Sequence, residues 1–280
     1  MMTIAQANHP GLFMLTLALT CAFAAGDASA KDCGERGWTL QLGLGAGYFP
    51  DYVGSGSSTV QLVPAAVGSW CTESWGTVEL DTASSTVGPT LTWKFLDRED
   101  WSLGLQTALR YGRTDQKAGG LRLNAGSTSL KGLNDIEDVF DLGGQATLNL
   151  AEQTQFYVQA RTAGGNGGWL VESGIYAEIP LSPRLGIALI PSIAWGDGSY
   201  TTKYFGVTPT EAVRSGFRAY APGAGLTGAS FEIAAEYGFT REWSLIVDLG
   251  YTRLLGDAAD SPIVTDRNQW GGFALIAYRF

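Results

Sequence analysis

Few residues in this chain have the type and spacing to do chemistry. The single histidine is His9, in an N-terminal stretch that is expected to be removed. Without it no Ser-His-Asp or Ser-His-Glu hydrolase can be assembled, and no histidine-based transition-metal site either. Six carboxylates, Asp141, Glu172, Glu178, Glu232, Glu236 and Asp248, share one side of alternating segments and are of the type that serves general acid–base catalysis. The same side carries Lys94, Arg110, Arg161 and Arg279. If each connection is centred on a hairpin, Arg110 falls near Asp141 and Arg161 near Glu172, so a paired polar interior is the preferred reading. The run "LGLGAGY" places Tyr48 where a dinucleotide fingerprint needs its third glycine. No catalytic residue, no metal ligand set and no cofactor is expected. The acidic run "GDAADSPIVTDR" groups Asp257, Asp260 and Asp266; oxygen-rich loops can hold calcium, but a solvated loop is the simpler reading.

The elements that position these residues alternate with period two nearly throughout. From Trp38 to Tyr48 one face carries Trp38, Leu40, Leu42, Leu44, Ala46 and Tyr48, and the other Thr39, Gln41 and three glycines. Twelve strands are read at 38–48, 59–71, 75–82, 86–96, 101–113, 137–150, 154–164, 169–181, 185–196, 227–239, 243–255 and 269–280. Short connections alternate with mostly long ones (49–58, 114–136, 197–226 and 256–268). That swap is how a transmembrane antiparallel up-and-down β-barrel is built, with short periplasmic turns and longer outer loops. Aromatics gather at strand ends as girdles do: Trp38, Trp70, Trp93 and Trp243 at one level, Tyr48, Trp169, Tyr251 and Trp270 at the other. The apolar face then meets the lipid bilayer and the small or polar face fills the lumen. The final strand ends on the lipid-facing line Ile276, Tyr278 and Phe280, which is expected to serve as the barrel-insertion signal. Within the longest loop, Thr208, Pro209, Glu211 and Gly216 specify a short capped helix, placed either over the barrel mouth or simply bracing the loop.

The ends and the charge agree. Residues 11–25 form an apolar stretch followed by an A-x-A site at Ala28 and Ala30, so residues 1–30 read as a cleaved signal peptide and 31–280 as one domain. The net charge of −9 gives no basic face for nucleic acid. Glycine, 38 residues of 280, has no G-X-Y period, so collagen is excluded.

The segments "GYFPDYVGS" (47–55), "LKGLNDIED" (130–138), "YFGVTPTEAVRSGF" (204–217), "LLGDAADSPIV" (254–264) and the terminal "YRF" (278–280) resemble the MipA/OmpV family of outer-membrane proteins, in the family's order. The resemblance implies a barrel in the outer membrane of a Gram-negative bacterium. For the namesake it implies a scaffold joining a murein polymerase to a lytic transglycosylase. Other members are treated as porin-like or adhesive, so a narrow channel or a surface adhesin stands as the alternative.

Cys33 and Cys71 remain after cleavage. In an oxidising compartment an even pair is expected to form a disulfide. With a first loop at 49–58, Tyr48 faces Thr59 and Cys71 faces Arg36, three residues from Cys33.

Overall fold

A computed structural model describes residues 37–72, 74–84, 88–115 and 126–280. The expected signal peptide and Cys33 lie outside the described residues. Twelve antiparallel strands close into one barrel: β1 (Trp38–Pro50), β2 (Ser58–Thr72), β3 (Gly76–Asp81), β4 (Thr90–Asp97), β5 (Trp101–Arg110), β6 (Val139–Ala151), β7 (Thr154–Thr162), β8 (Trp169–Ser182), β9 (Leu185–Gly196), β10 (Gly225–Gly238), β11 (Trp243–Leu254) and β12 (Asn268–Arg279). Every strand pairs with its sequence neighbours, and β12 returns to β1 with Gln41 opposite Arg279 and Tyr48 opposite Gly272. The Phe280 N–H donates to the Leu40 carbonyl at 3.0 Å and fastens the seam at its short-turn end.

The alternation sorts as the pleat requires. On β12, Gln269, Gly271, Phe273, Leu275 and Ala277 are buried, whereas Trp270, Ala274 and Ile276 are exposed. Outward aromatics pair at both rims: Trp70 meets Trp75 edge-on at 4.8 Å, Trp243 meets Tyr278 at 5.0 Å, and Tyr251 meets Trp270 at 4.6 Å. Ile276, Tyr278 and Phe280 run along this outer face, the last two rings 4.9 Å apart. The β1 glycines have a packing role. A Cβ on Gly45 would stand 1.9 Å from the Ala274 carbonyl oxygen, and one on Gly43 would stand 2.5 Å from Leu275. Their absence lets Phe273 and Leu275 lie inside with Val63, Ala65 and Ala277 as an apolar patch on the lumen wall.

Two placements differ from the sequence reading. The first hairpin is one residue out: Tyr48 faces Val60, and Pro50 faces Ser58. The ladder runs further because the Asp51 N–H reaches the Ser57 carbonyl at 3.0 Å and the Thr59 hydroxyl donates to the Asp51 carboxylate at 2.6 Å, tightening the loop. Cys71 therefore stands against Gly37, its N–H donating to the Gly37 carbonyl at 2.7 Å. The second difference is β4, which starts at Thr90. The β3–β4 connection turns inward: Ala83 packs on the apolar patch, and the Ser84 hydroxyl donates to Glu232 at 3.0 Å. Glu232 is on β10, six strands from β4 in a ring of twelve, so this connection reaches across the lumen.

Candidate functional site

Among the described residues the outer connections carry three short α-helices, α1 (Gly198–Phe205), α2 (Pro209–Ser215) and α3 (Gly256–Ala259), and they share a hydrophobic core. Tyr52 from the β1–β2 loop, Leu130 and Leu133 from the β5–β6 connection, Val207 after α1 and Ile263 from the last loop are all buried together, with Ala212, Phe217 and Tyr220 against them. Each such side chain contributes about 1.5–3 kcal/mol when removed from water. A second cluster, Phe205, Leu254, Ala258 and Ala259, joins α1 and α3 to the top of β11. The four outer segments that carried the family resemblance are thus one folded roof.

Polar contacts tie the roof across loops. The α2 capping box is complete, with Thr208 and Glu211 each satisfying the other's N–H. Glu211 also accepts the Asn134 N–H at 2.9 Å, while Arg214 donates to the Asn134 side chain at 2.7 Å. Burial works to raise the Glu211 pKa. The N–H of Asn134, the hydroxyl and N–H of Thr208 and the Arg113 charge outweigh it and hold the carboxyl below its ordinary value of 4.5. Arg113 donates to the Tyr204 carbonyl at 2.7 Å, Tyr52 to the Ile263 carbonyl at 2.8 Å, and Ser261 to the Phe205 carbonyl at 2.5 Å. Gly132, with φ +89°, lets its backbone lie against α2, where a Cβ would meet Arg214 and Ser215 at 2.8 Å. The acidic run is used as loop ties: Asp257 accepts the Gly223 N–H at 2.7 Å, Asp260 pairs with Arg267 at 2.7 Å, and Asp266 accepts the Asn268 N–H at 2.8 Å.

Beneath the roof lies a chamber of about 300 Å³ whose lining includes Arg110, Asp141, Arg161, Glu172, Tyr200 and Tyr204. Arg110 pins α1 to the barrel wall. Its Nε and Nη2 meet Asp141 at 2.8 and 2.7 Å, its Nη1 donates to the Gly167 carbonyl at 3.0 Å, and its guanidinium lies over the rings of Tyr200 and Tyr204 at 4.9 and 5.5 Å. Arg110 faces Val139 in the ladder while Asp141 faces Ala108, so the pair is diagonal. Arg161 stands in the same diagonal relation to Glu172, since it faces Leu170 while Glu172 faces Gln159. It lies within electrostatic range of both Glu172 and Asp141, and Glu172 takes a hydrogen bond from the Tyr157 hydroxyl at 2.9 Å.

At the short-turn end a vestibule of about 960 Å³ opens between the β8–β9 and β10–β11 turns. Glu178, Glu236 and Arg279 line it, with Arg279 bridging Glu236 at 2.9 Å and Gln41 donating to the same carboxylate oxygen at 2.9 Å. The lumen is therefore roofed at the long-loop end and hollow at the other. Sequence reasoning placed the charged residues inward but missed this vestibule, as well as Tyr200 and Arg113, which no local pattern marks.

A closed twelve-stranded barrel with a lipid-facing apolar surface, aromatic rims and a polar interior defines an outer-membrane β-barrel protein. The chain belongs to the family described as MltA-interacting protein MipA, which it matches over residues 42–280. It is 30% identical over 158 residues to outer membrane protein OmpV of Vibrio cholerae, a match covering 55% of this chain and 59% of that one. It is 33% identical over 99 residues to the MltA-interacting protein of Escherichia coli, covering 34% of this chain and 39% of the relative. The alignments thus span less than two thirds of these relatives' own length. Among solved structures, a NanC porin is similar with a TM-score of 0.42 at 10% identity, covering 85% of this chain and 98% of that one. The protein resides in the outer membrane, as the family and the barrel require.

Proposed function

We propose that the protein is a non-enzymatic outer-membrane scaffold that offers its periplasmic end to enzymes of peptidoglycan synthesis and remodelling, a murein polymerase and a lytic transglycosylase. The observation that carries this reading is the asymmetry of the barrel: a welded roof outside, and a vestibule of about 960 Å³ at the short-turn end. Short turns alone offer little area for a stable complex, which needs about 800 Å² from each partner. The concave vestibule adds to it. The name of the Escherichia coli relative supports the same reading. Detergent pull-down of the folded barrel from periplasmic extract tests it. Enrichment of a lytic transglycosylase is the expected result, and failure to enrich any peptidoglycan enzyme overturns it.

The acidic side chains of the lumen support a second reading, a narrow channel with a weak preference for cations. It requires the roof to open. Planar-bilayer recording separates the two readings: unitary steps in the wild-type protein favour the channel, and their absence favours the scaffold.

A further inference from the structure

Arg253 stands on the lipid-facing side of the barrel wall. The outward residues of β11 run Val247, Leu249, Tyr251 and Arg253, and the ladder partners of Arg253, Ala229 on β10 and Asn268 on β12, share that face. Two residues along a strand span about 7 Å. Arg253 is therefore one step outside Tyr251 and Trp270, the ring pair of the outer aromatic rim, at the depth where lipid head groups begin. A cation on the lipid face is costly at mid-bilayer and becomes favourable only at that interface, where anionic head groups meet it. The guanidinium is exposed and held in place. Its Nη1 donates to the Asn268 side-chain oxygen at 2.9 Å, and the Tyr251 hydroxyl donates to the same oxygen at 2.8 Å. The Asn268 amide nitrogen turns the other way, to Asp266 at 3.4 Å, so a neutral amide separates that carboxylate from the arginine. Among the described residues Arg253 has no carboxylate partner, and its Nε and Nη2 make no hydrogen bond, whereas Arg267 nearby is paired with Asp260.

We propose that this rim is a binding site for a phosphorylated glycolipid of the outer leaflet, of the lipid A type. The open edge of the Arg253 guanidinium, Nε and Nη2, takes one phosphate in the paired geometry that arginine makes best. Asn268 fixes the direction of that edge, and Ala229 is small enough to leave room for the head group beside it. Tyr251 and Trp270 carry apolar rings with a polar tip, which suits the boundary between sugar and acyl chain. Below them Phe231 and Leu249 are exposed on the same wall and meet the acyl chains. The site lies outside the barrel at the long-loop end, so it stands or falls independently of the scaffold reading.

Native mass spectrometry of the folded barrel, released from detergent after incubation with diphosphoryl lipid A, tests the site. Lipid A stripped of its phosphates and phosphatidylglycerol, which has a phosphodiester and no sugar, are the comparisons. Saturable retention of lipid A is expected, with each comparison weaker by about tenfold or more, the loss that follows a missing charge-assisted contact. Arg253→Gln is expected to lose at least about tenfold in lipid A affinity. Arg241→Gln, at an exposed arginine on the short-turn rim, is expected to bind as the wild type does. Arg253→Lys keeps the charge but not the planar fork and is expected to weaken binding; it carries the test if the glutamine variant fails to show the heat-modifiable migration of a folded barrel. Equal retention of the dephosphorylated lipid or of phosphatidylglycerol overturns the proposal. So does unchanged affinity in the lysine variant, or a loss in Arg241→Gln as large as in Arg253→Gln.

Discussion

Glu211 accepts the main-chain N–H of Asn134 at 2.9 Å, joining two outer connections 77 residues apart. The same carboxylate closes the α2 capping box, so one buried side chain serves both a helix terminus and a neighbouring loop. Hydrogen bonds to a charged group are worth about 1.5–3 kcal/mol each. Glu211→Ala is therefore expected to loosen the roof as a unit. Amide exchange at Val207 and Tyr220, which bond each other at 2.8 Å, should accelerate by about tenfold to a hundredfold. Acceleration at Asn134 alone would show that the roof is not cooperative.

The same residue sets an acid limit. Glu211 titrates below its ordinary 4.5 in the folded roof, because its hydrogen bonds and Arg113 outweigh burial. A depressed carboxylate contributes stability that is complete above the unfolded pKa and is lost as the pH falls through the folded one. Roof protection should thus be the same at pH 7 and about pH 5.5, and decline as the pH falls below the ordinary glutamate value of 4.5. Glu211→Gln, measured by the same exchange, should remove that decline. A decline beginning near pH 6 in the wild type would assign the effect to some other group.

Arg110 and Asp141 are buried partners inside the barrel. Removing one charge from such a pair strands the other and costs about 3–5 kcal/mol, whereas replacing both with apolar groups is often close to neutral. Arg110→Met is expected to destabilise the barrel by that amount in urea titrations from lipid vesicles. Arg110→Met combined with Asp141→Leu should recover most of the loss. Additive losses in the double variant would mean that the two side chains act separately.

The strands were legible in the sequence because their signal is local: on β12 the alternation from Gln269 to Ala277 states directly which face is greased. The α2 helix was legible for the same reason, its cap, first-turn proline and terminal glycine all lying between Thr208 and Gly216. The roof was not. Helices α1 and α3 are eight and four residues long, too short for periodicity, and they persist because Phe205, Ala258 and Ala259 are buried together. Tyr52, Leu133, Val207 and Ile263 stood inside the quoted family segments, yet nothing local in those segments says that they meet. The inward β3–β4 connection was hidden likewise. The run "ELDTASSTVGP" alternates poorly, and only closure of the ring places Ser84 opposite Glu232. In the outer chamber, hairpin arithmetic brought Arg110 to Asp141 and Arg161 to the neighbourhood of Glu172, but could not show that the Tyr157 hydroxyl also holds Glu172.

Cys71 is disulfide-bonded, and we propose Cys33 as its partner. Gly37 stands against Cys71 and has a φ of +66°, so the chain turns there as it leaves the barrel wall. Gly37 is four positions beyond Cys33 in the sequence, a reach of at most about 14 Å, enough for the chain to fold back to the roughly 5.5–6 Å Cα separation that a disulfide needs. Such a bond would tie the segment before β1 to the periplasmic end of β2. On the chain-entropy model, closing a loop of this size restricts the unfolded state by about 4 kcal/mol, less any native strain. Peptide mapping of the mature protein, alkylated while denatured and unreduced, should return a peptide linking Cys33 to Cys71 and neither cysteine alkylated. Cys71→Ser should then leave Cys33 free to react and lower the unfolding midpoint, while Cys33→Ser should produce an equal loss. An alkylated Cys33 in the unreduced wild type, or a Cys71 linked to a second chain, would sink the pairing.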